Sequence, residues 1–495
     1  MNVVLSLPIL IPLLAATGCL LAARSFVWQR WIGIAGSAAF LCSTLLLFAI
    51  VWSGGIQIMR VGNWPMPYGI VLVADVLSAT MLLLIGIAAV AVMVYSSVAA
   101  NHRREAFGYY PLFQFLLMGL GGGFLTGDIF NLYVWFELTL ISSFVLTTLG
   151  GERAQLAGGL KYVALNLVSS AMFLSGLGLL YGIAGTLNMA DLAVKLRSVD
   201  DPWPVVVVAT FFLVSFAIKS ALFPLFFWLP ASYPPPPAPV TAFFAGSLTK
   251  LGAYSLLRTF TLIFTQESHY TSDLLLILAG VTMLIGVMGA IAQQDLRRVL
   301  AFMIVGHIGF VVMGLGLSSV LALTGSIFYI VHEVIAKTSL FLVAGLISKA
   351  RSTTELSRLG GLATERPAIS VMFLLLALSL SGLPPLSGFA PKLLLIRAGF
   401  DSGSYAIAAV ALAASLLTLY AIARVWGIAF WGETRERDHH QGRLPVRMWM
   451  PCAVLTGLML IIGLAPGAIF TVANRAARDL MNPASYISAV LKGGG

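Results

Sequence analysis

Charged residues are scarce in this chain. Only 10% of its 495 residues are Asp, Glu, Lys or Arg, whereas 59% are hydrophobic. A soluble domain needs many more polar residues to cover its surface, so the composition excludes an ordinary soluble protein. The apolar runs are long enough for membrane-spanning helices, and they lack the short alternating strands of a transmembrane barrel. The composition therefore predicts an all-α polytopic membrane protein.

Cysteine is also rare. Cys19, Cys42 and Cys452 lie in apolar runs without disulfide or metal-ligand spacing, so we expect no iron–sulfur centre and no other metal site. The sequence has no Walker A loop, and glycine clusters such as "GLGGGF" are typical of close helix packing. We therefore expect no cofactor.

The formal charge of +10 could indicate a protein that binds nucleic acid. The charges, however, lie mostly in short loops between apolar runs. We therefore expect the chain to interact with a lipid bilayer and not with nucleic acid.

Apolar windows separated by loop residues predict about fourteen membrane-spanning helices. The predicted spans are 3–23, 32–53, 72–97, 110–127, 130–149, 157–184, 204–228, 238–260, 273–293, 299–318, 321–347, 369–399, 404–432 and 448–473. No soluble domain remains between these spans. We expect the tail, 474–495, to be a surface segment.

Loop lysines and arginines predict the orientation, since cytoplasmic loops carry the excess of positive charge. Loops after odd-numbered helices hold fifteen such residues: Arg24, Arg30, Arg103, Arg104, Arg153, Arg297, Arg298, Lys349, Arg351, Arg358, Arg366, Arg435, Arg437, Arg443 and Arg447. Loops after even-numbered helices hold four: Arg60, Lys195, Arg197 and Arg258. This asymmetry predicts cytoplasmic odd loops and both termini outside.

Several ionisable residues lie inside the predicted spans. They are Glu137, Lys219, Lys250, His332, Glu333, Lys337 and Lys392. A charge at the bilayer centre costs about 2.5–3.5 kcal/mol on insertion scales, so such residues face the bundle interior, a partner or water and mark ion pathways. A single ion pair could serve only to hold two helices together. Charges on so many separate helices instead favour a proton path. Lysine suits such a path because it can release its proton when buried, whereas arginine cannot.

For two pairs among these residues, the sequence leaves more than one interpretation open. Lys219 and Glu137 are the candidate pair for switching a proton, although their spacing along the chain says nothing about contact. Glu333 and Lys337 stand at i and i+4 on one helix, so they could merely neutralise each other. Lys161 lies near a predicted cytoplasmic helix end, where we expect its ammonium to reach the interface and take no part in transport.

Prolines interrupt two predicted spans beside lysines. The prolines are Pro224 in "SFAIKSALFPLFFWLP" and Pro384, Pro385 and Pro391 in "SGLPPLSGFAPKLLLI". An internal proline removes a helix hydrogen bond, and non-helical backbone at membrane depth survives only inside protein or beside water. We therefore expect helices seven and twelve to be broken and hydrated at Lys219 and Lys392.

The two breaks lie five helices apart, which predicts two inverted five-helix repeats. The predicted division is 1–109 for helices one to three, 110–260 for the first repeat, 273–432 for the second repeat, and 448–495 for helix fourteen and the tail. Glu137 precedes Lys219 by 82 positions, and His307 precedes Lys392 by 85. His307 is therefore an auxiliary candidate as the counterpart of Glu137, and Glu333 is a second auxiliary candidate.

Long stretches of the chain resemble a known superfamily. They are "GNWPMPYGIVLVADVLSA", "GDIFNLYVWFELTLISSF", "FPLFFWLPASYPPPPAPVTAFFAGSLTKLGAYSLLR", "IFYIVHEVIAKTSLFL" and "SGLPPLSGFAPKLLLI". They are similar to antiporter-like subunits of respiratory complex I and of Mrp-type multisubunit Na+/H+ antiporters, along nearly the whole chain. The length and the "GNWPMPYGIVLVAD" segment resemble the D-type family of Mrp antiporter subunits.

The resemblance implies fourteen helices in two inverted units, with broken helices seven and twelve and a hydrated midplane axis. It implies proton translocation by residues at matching positions: Glu137, Lys219, Lys250, His332, Lys337 and Lys392. The sequence departs from the family pattern where His332–Glu333 replaces a frequent histidine pair, and where "AFMIVGHIGF" lacks the usual serines.

The resemblance and the buried charges predict an ion-translocating subunit of a multisubunit Na+/H+ antiporter, not an enzyme. We expect it in the bacterial cytoplasmic membrane, with A-, B-, C-, E-, F- and G-type subunits as partners and with H+ and Na+ or a similar cation as transported ions. The alternative is a proton-pumping subunit of a complex I-type NADH dehydrogenase or membrane hydrogenase, whose redox work takes place in partner subunits. A stand-alone solute carrier and a structural scaffold are further alternatives.

Overall fold

The chain folds into a bundle of helices with one small hairpin. The computed structural model describes residues 3–433 and 444–492. The helices are α1 (Leu7–Leu21), α2 (Phe26–Gly54), α3 (Val76–Ala99), α4 (His102–Ala106), α5 (Tyr109–Leu125), α6 (Ile129–Thr148), α7 (Arg153–Ala184), α8 (Met189–Lys195), α9 (Trp203–Ser220), α10 (Trp228–Ser232), α11 (Ala238–Leu262), α12 (Ser268–Ala292), α13 (Leu296–Gly316), α14 (Val320–Arg351), α15 (Leu362–Glu365), α16 (Pro367–Ser381), α17 (Phe389–Asp401), α18 (Tyr405–Ala429), α19 (Val446–Leu464), α20 (Gly467–Met481) and α21 (Ala484–Lys492). The two strands are β1 (Gln57–Arg60) and β2 (Val71–Ala74).

Within the described residues, eleven helices are long and apolar enough to cross a membrane. Each predicted span overlaps at least one observed helix, and the span 369–399 covers both α16 and α17. The prediction of a helical multi-pass membrane protein is confirmed, and the predicted number of fourteen spans is compatible with the structure.

Both predicted helix breaks are present. Residues 221–227 separate α9 from α10 and include Pro224, whereas residues 382–388 separate α16 from α17 and include Pro384 and Pro385. These three prolines are exposed on the surface of the isolated chain.

Pro391 lies beyond the second break, as the third residue of α17. The amides of the first helical turn have no intrahelical partner, so a proline there removes no hydrogen bond. The break therefore ends before Pro391.

Helices α13 and α14 form the interior of the bundle. The apolar window of α14 is 100% buried and that of α13 is 94% buried, whereas those of α1, α2, α7, α18 and α19 are 33–39% buried. Glycines let α12 approach α13 closely: a methyl group on Gly286 would lie 2.2 Å from the Gly306 amide nitrogen. His307 on α13 and His332, Glu333 and Lys337 on α14 are therefore held inside the protein.

Side-chain caps define the starts of several helices. Asp75 accepts a hydrogen bond from the Ser78 amide, and the Ser78 hydroxyl in turn accepts one from the Asp75 amide, which forms a capping box before α3. Asp128, Asp295 and Ser319 each accept a backbone amide hydrogen at the starts of α6, α13 and α14. The third span begins later than predicted, because residues 71–74 form β2, antiparallel to β1.

Arg258 corrects the predicted loop charges. It lies within α11 and forms an ion pair with Asp75, and the two side chains are only 6% and 5% exposed. Its guanidinium lies 5.5 Å from the Tyr254 ring centroid and 5.1 Å from that of Tyr486. Arg258 is thus a buried residue, whereas the other three charges lie between the spans, with Arg60 in β1, Lys195 at the end of α8 and Arg197 just after α8. Arg435, Arg437 and Arg443 lie outside the described residues.

The C-terminal region also differs from the prediction. The predicted span 448–473 is divided between α19 and α20, because Pro466 has no amide to continue the helix. Within the described residues, the tail expected at the surface forms the rest of α20 and all of α21. Ala473, Ala477 and Leu480 of α20 are buried at helical spacing, so this amphipathic helix packs against the bundle.

Candidate functional site

Glu137 and Lys219 lie near the first helix break without touching each other. Ser170 of α7 donates a hydrogen bond to Glu137 Oε1. The ammonium of Lys219 lies 5.4 Å from the ring centroid of Phe136, the neighbour of Glu137 in the chain. Among the described residues, no salt bridge within 4.0 Å joins Glu137 to Lys219. The predicted pair is therefore not in direct contact in this structure.

Lys219 borders a small cavity at the end of α9. Its side chain is 7% exposed, and the cavity, of about 20 Å³, is also lined by Tyr162, Asn166 and Trp228. A space of this size holds about one water molecule. The ammonium thus has polar neighbours and room for a water molecule on the inner side of the break, whereas Pro224 faces outward.

A close helix crossing sets the position of Lys219. A methyl group on Gly252 of α11 would lie 2.6 Å from Ser220 Oγ and 3.0 Å from the Lys219 carbonyl carbon. Trp228 Nε1 donates a hydrogen bond of 2.9 Å to the Ile218 carbonyl, one of the groups that the break frees. Helix α11 and the indole of α10 therefore hold the end of α9.

Glu333 is the centre of a second cluster, formed by α11, α13 and α14. Its Oε1 lies 2.7 Å from His307 Nδ1 and 4.0 Å from Lys337 Nζ, and its Oε2 lies 3.6 Å from Lys250 Nζ. The four residues are at most 2% exposed. One carboxylate therefore faces three groups that can carry positive charge, and the interaction with Lys337 on the same helix is the longest.

Lys250 has further partners on its own helix. Its ammonium donates hydrogen bonds to the Ala245 carbonyl at 3.0 Å and to Thr249 Oγ1 at 3.4 Å. These polar contacts reduce the cost of a buried charge. Glu333 is therefore not the sole partner that stabilises the Lys250 ammonium.

The second helix break holds Lys392. Its ammonium reaches back from α17 and donates hydrogen bonds to the carbonyls of Leu380 (2.8 Å) and Ser381 (3.2 Å) at the end of α16. It also lies 4.7 Å from the Phe310 ring centroid. A positive charge at a helix C-terminus is favourable because the last carbonyls have no intrahelical donors. Lys392 therefore replaces the backbone donors that the break removes.

His332 contacts the same break through serines. Its Nδ1 lies 3.0 Å from Ser387 Oγ, which lies 2.9 Å from Ser379 Oγ. A methyl group on Gly388 would lie 2.0 Å from the Ser379 carbonyl oxygen and 3.1 Å from His332 Cε1, so only glycine fits there without a shift.

Tyr329 lies between the two histidines, with its ring centroid 5.9 Å from that of His307 and 5.5 Å from that of His332. Five buried polar atoms in this region have no hydrogen-bond partner among the described residues: His307 Nε2, Tyr329 Oη, His332 Nε2, Glu333 Oε2 and Lys337 Nζ. Buried polar atoms normally bind protein groups or ordered water. The region is therefore suited to bind water between titratable groups.

Sequence reasoning identified the charged members of these clusters and missed their neutral neighbours. No sequence pattern indicated Ser170, Ser379 or Tyr329. Serines in apolar helices usually bond to their own backbone. Only Ser387 carried a hint, since it lies in the proline- and glycine-containing break. Lys161 is exposed on α7.

Comparison with known proteins identifies the family of the chain. The family model described as NADH:quinone oxidoreductase/Mrp antiporter, TM, matches residues 126–418. The D-type subunit of the Na(+)/H(+) antiporter of Alkalihalophilus pseudofirmus is 43% identical over 492 residues, which cover 99% of this chain and 100% of that protein. The D-type subunit of the Na(+)/H(+) antiporter of Bacillus subtilis is 39% identical, with the same coverage.

A chain in the structure of the Mrp complex from Dietzia sp. DQ12-45-1b has the same fold, with a TM-score of 0.92 and 31% sequence identity. The match covers 99% of this chain and 100% of that chain. The chain therefore belongs to the NADH:quinone oxidoreductase/Mrp antiporter family, among the D-type subunits of its Na+/H+ antiporters.

Proposed function

We propose that this chain is an ion-translocating subunit of a multisubunit Na+/H+ antiporter and carries protons through its interior. The observation that supports this most strongly is the buried group of Lys250, His307, Glu333 and Lys337 around a single carboxylate. A buried ion pair is weak evidence for stability, because desolvation offsets much of the attraction. Titratable groups on several buried helices are instead expected where ions or protons cross a membrane.

Glu333 can stabilise a proton on any one of its three neighbours. When a proton leaves Lys250, the carboxylate is free to stabilise positive charge on His307 or Lys337, and the reverse also holds. The atoms that have no hydrogen-bond partner among the described residues, such as Lys337 Nζ and His307 Nε2, can bind water that passes the proton onward. Arginine could not do this, because it stays protonated.

The two broken helices provide the ends of the proposed path. Lys219 stands beside the cavity at the first break, with Glu137 nearby on α6. Lys392 stands at the second break, where the α16 carbonyls stabilise its charge and His332 contacts Ser387. We assign proton translocation to Glu137, Lys219, Lys250, His332, Lys337 and Lys392, with His307 and Glu333 as auxiliary residues.

The proposed assembly is an Mrp-type hetero-oligomer in a bacterial cytoplasmic membrane. Its other members would be of the A, B, C, E, F and G types, and it would exchange H+ for Na+ or a similar cation. The loop charges support cytoplasmic odd-numbered loops and both termini outside. We also propose the division into two inverted repeats, 110–260 and 273–432, for which the two breaks provide the support.

The alternative is a proton-pumping subunit of a redox-driven complex, because the matching family model covers NADH:quinone oxidoreductase as well as Mrp antiporters. The two relatives described above favour the antiporter. Purification of the intact complex and identification of its members distinguishes the two, since redox subunits would accompany only the alternative.

Glu137→Ala and Lys219→Ala test the proposal in the intact complex reconstituted in liposomes. We expect each variant to assemble normally and to lose nearly all Na+-driven proton movement, measured with a pH-sensitive dye. Lys161→Ala is the matched control, because it removes an exposed lysine from the adjacent α7 and should exchange like the unmodified complex.

Normal exchange by either variant would remove that residue from the path. Loss of exchange in Lys161→Ala as well would indicate that any charge change in this region disturbs the complex, and the assignment of Lys219 would then fail.

A further inference from the structure

The break between α9 and α10 leaves backbone amides that need partners. Two of these amides find acceptors nearby in the sequence: Leu222 N donates to the Ala217 carbonyl at 2.9 Å, and Leu225 N donates to the Leu222 carbonyl at 2.7 Å. Phe223 N differs, because it donates a hydrogen bond of 3.1 Å to Thr282 Oγ1 of α12, 59 residues further along the chain.

The hydroxyl of Thr282 is fixed in its acceptor role. Its own proton is donated to the Leu278 carbonyl at 2.5 Å, and the residue is fully buried. A hydroxyl has one donor and two acceptor positions, so its oxygen remains available to Phe223. The contact joins the first break to a helix of the predicted second repeat.

Helix α12 is held tightly against α13 beside Thr282. A methyl group on Gly309 would lie 2.6 Å from Met283 Cγ, and one on Gly286 would lie 2.2 Å from the Gly306 amide nitrogen. Gly306 directly precedes His307, the partner of Glu333. Because such close packing leaves little freedom to slide, a shift of α12 would move the His307 segment and the Phe223 contact together.

We propose that Thr282 is a positioning residue that ties the broken end of α9, and with it Lys219, to the α12–α13 pair that carries His307. The proposal rests on the proton-transport function stated above. An amide at membrane depth needs a partner, so Phe223 follows the Thr282 hydroxyl when α12 moves. Thr282 therefore couples the geometry at Lys219 to the geometry at the Glu333 cluster.

Hydrogen–deuterium exchange of the intact complex tests the contact itself. In Thr282→Val, which keeps the shape and removes the hydroxyl, we expect about fivefold faster deuterium uptake in peptides covering 221–227, the effect of losing one hydrogen bond. Thr282→Ser keeps the hydroxyl and should match the unmodified protein. Thr259→Val is the control, since Thr259 is equally buried and its hydroxyl bonds, among the residues that the structure describes, only to the Ser255 carbonyl of its own helix.

Transport by the same variants tests the coupling. We expect Thr282→Val to slow exchange several-fold and to shift its pH profile, and Thr282→Ser to restore both, because Lys219 is misplaced only when the hydroxyl is lost. Thr259→Val should change neither the rate nor the profile.

The possible results separate the two proposals. Unchanged uptake in Thr282→Val, or equal changes in Thr282→Val and Thr282→Ser, would overturn the contact. Faster uptake with an unchanged rate and profile would overturn the coupling. An unmodified complex that exchanges no ions would overturn the proposed function, while the uptake measurement would still decide whether Thr282 holds the break.

Discussion

At the scale of single residues, Asp128 shows how burial changes a group outside the spans. Its carboxylate caps α6 by accepting the Asn131 amide hydrogen at 2.8 Å. Burial raises the pKa of Asp128 to about 6, although backbone hydrogen bonds oppose the shift. The folded chain therefore binds this proton more tightly than the unfolded chain, whose aspartate has a pKa near 3.9. Folding stability from Asp128 is present at low pH and is lost as the pH rises towards 6.

We expect Asp128→Asn to stabilise the protein above pH 7 by about 1–3 kcal/mol, since asparagine keeps the cap and removes the charge. The gain should shrink steadily as the pH falls to about 4. Thermal unfolding of the purified protein at several pH values measures this. Asp201→Asn is the control, because Asp201 also accepts a backbone amide hydrogen, from Trp203, but is exposed. A gain that is the same at every pH would contradict the assigned cause.

The charged members of the candidate site could be read from the sequence, but their partners could not. Lys219, Lys250 and Lys392 stand out as charges in apolar runs, and all three are buried. The spacing in the sequence left open whether Glu333 merely neutralises Lys337 four residues later. The fold instead brings His307 nearest to it, because contacts between helices depend on packing that no spacing within one helix reveals.

At the scale of helices, glycine determines how closely α11 crosses the end of α9. Gly252→Ala would place a methyl group 2.6 Å from Ser220 Oγ and 2.9 Å from the Ser220 amide nitrogen. We expect a loss of stability of about 1–3 kcal/mol, typical of overpacking, together with slower ion exchange because Lys219 adjoins the contact. Melting temperature and liposome exchange measure the two effects.

Gly178→Ala on α7 is the matched control, since a methyl group there meets no other atom within 4 Å. It should leave both measurements unchanged. A Gly252→Ala variant as stable and as active as the unmodified complex would mean that α9 and α11 separate easily.

Helix positions were largely predictable because each span is an apolar run, and the breaks were predictable because proline cannot continue a helix. The hairpin of β1 and β2 was missed. The segment 71–74 is apolar and joins directly to α3, so its composition looks like the start of a helix. The end of α19 was missed for a similar reason, since the chain stays apolar through Pro466.

At the scale of the whole molecule, the C-terminal helices contact parts of the bundle that are far from them in the sequence. Tyr486 of α21, only 4% exposed, stacks on Arg258 of α11, which pairs with Asp75 before α3. Arg475 of α20 donates a hydrogen bond of 2.6 Å to the Trp52 carbonyl of α2. The end of the chain thus contacts α11 and α2 directly and α3 through the Arg258–Asp75 pair, all of them far from it in the sequence.

Tyr486→Ala should lower the melting temperature of the protein, since removing a buried aromatic ring costs about 3 kcal/mol or more and also removes the contact with Arg258. Thermal unfolding in detergent measures the change. Tyr420→Ala, which removes a ring that is 58% exposed on α18, should have little effect. Equal shifts in the two variants would show that α21 adds no stability.

The complete burial of α14 affects how the protein is made. His332, Glu333 and Lys337 lie in one segment, and each charged group costs roughly 2.5 kcal/mol or more when a single helix enters the bilayer. The partners of Glu333 on other helices, Lys250 and His307, belong to helices that the ribosome produces earlier. During biosynthesis α14 therefore enters the bilayer at lower cost when α11 and α13 are already there, so the order of translation favours the insertion of this polar segment.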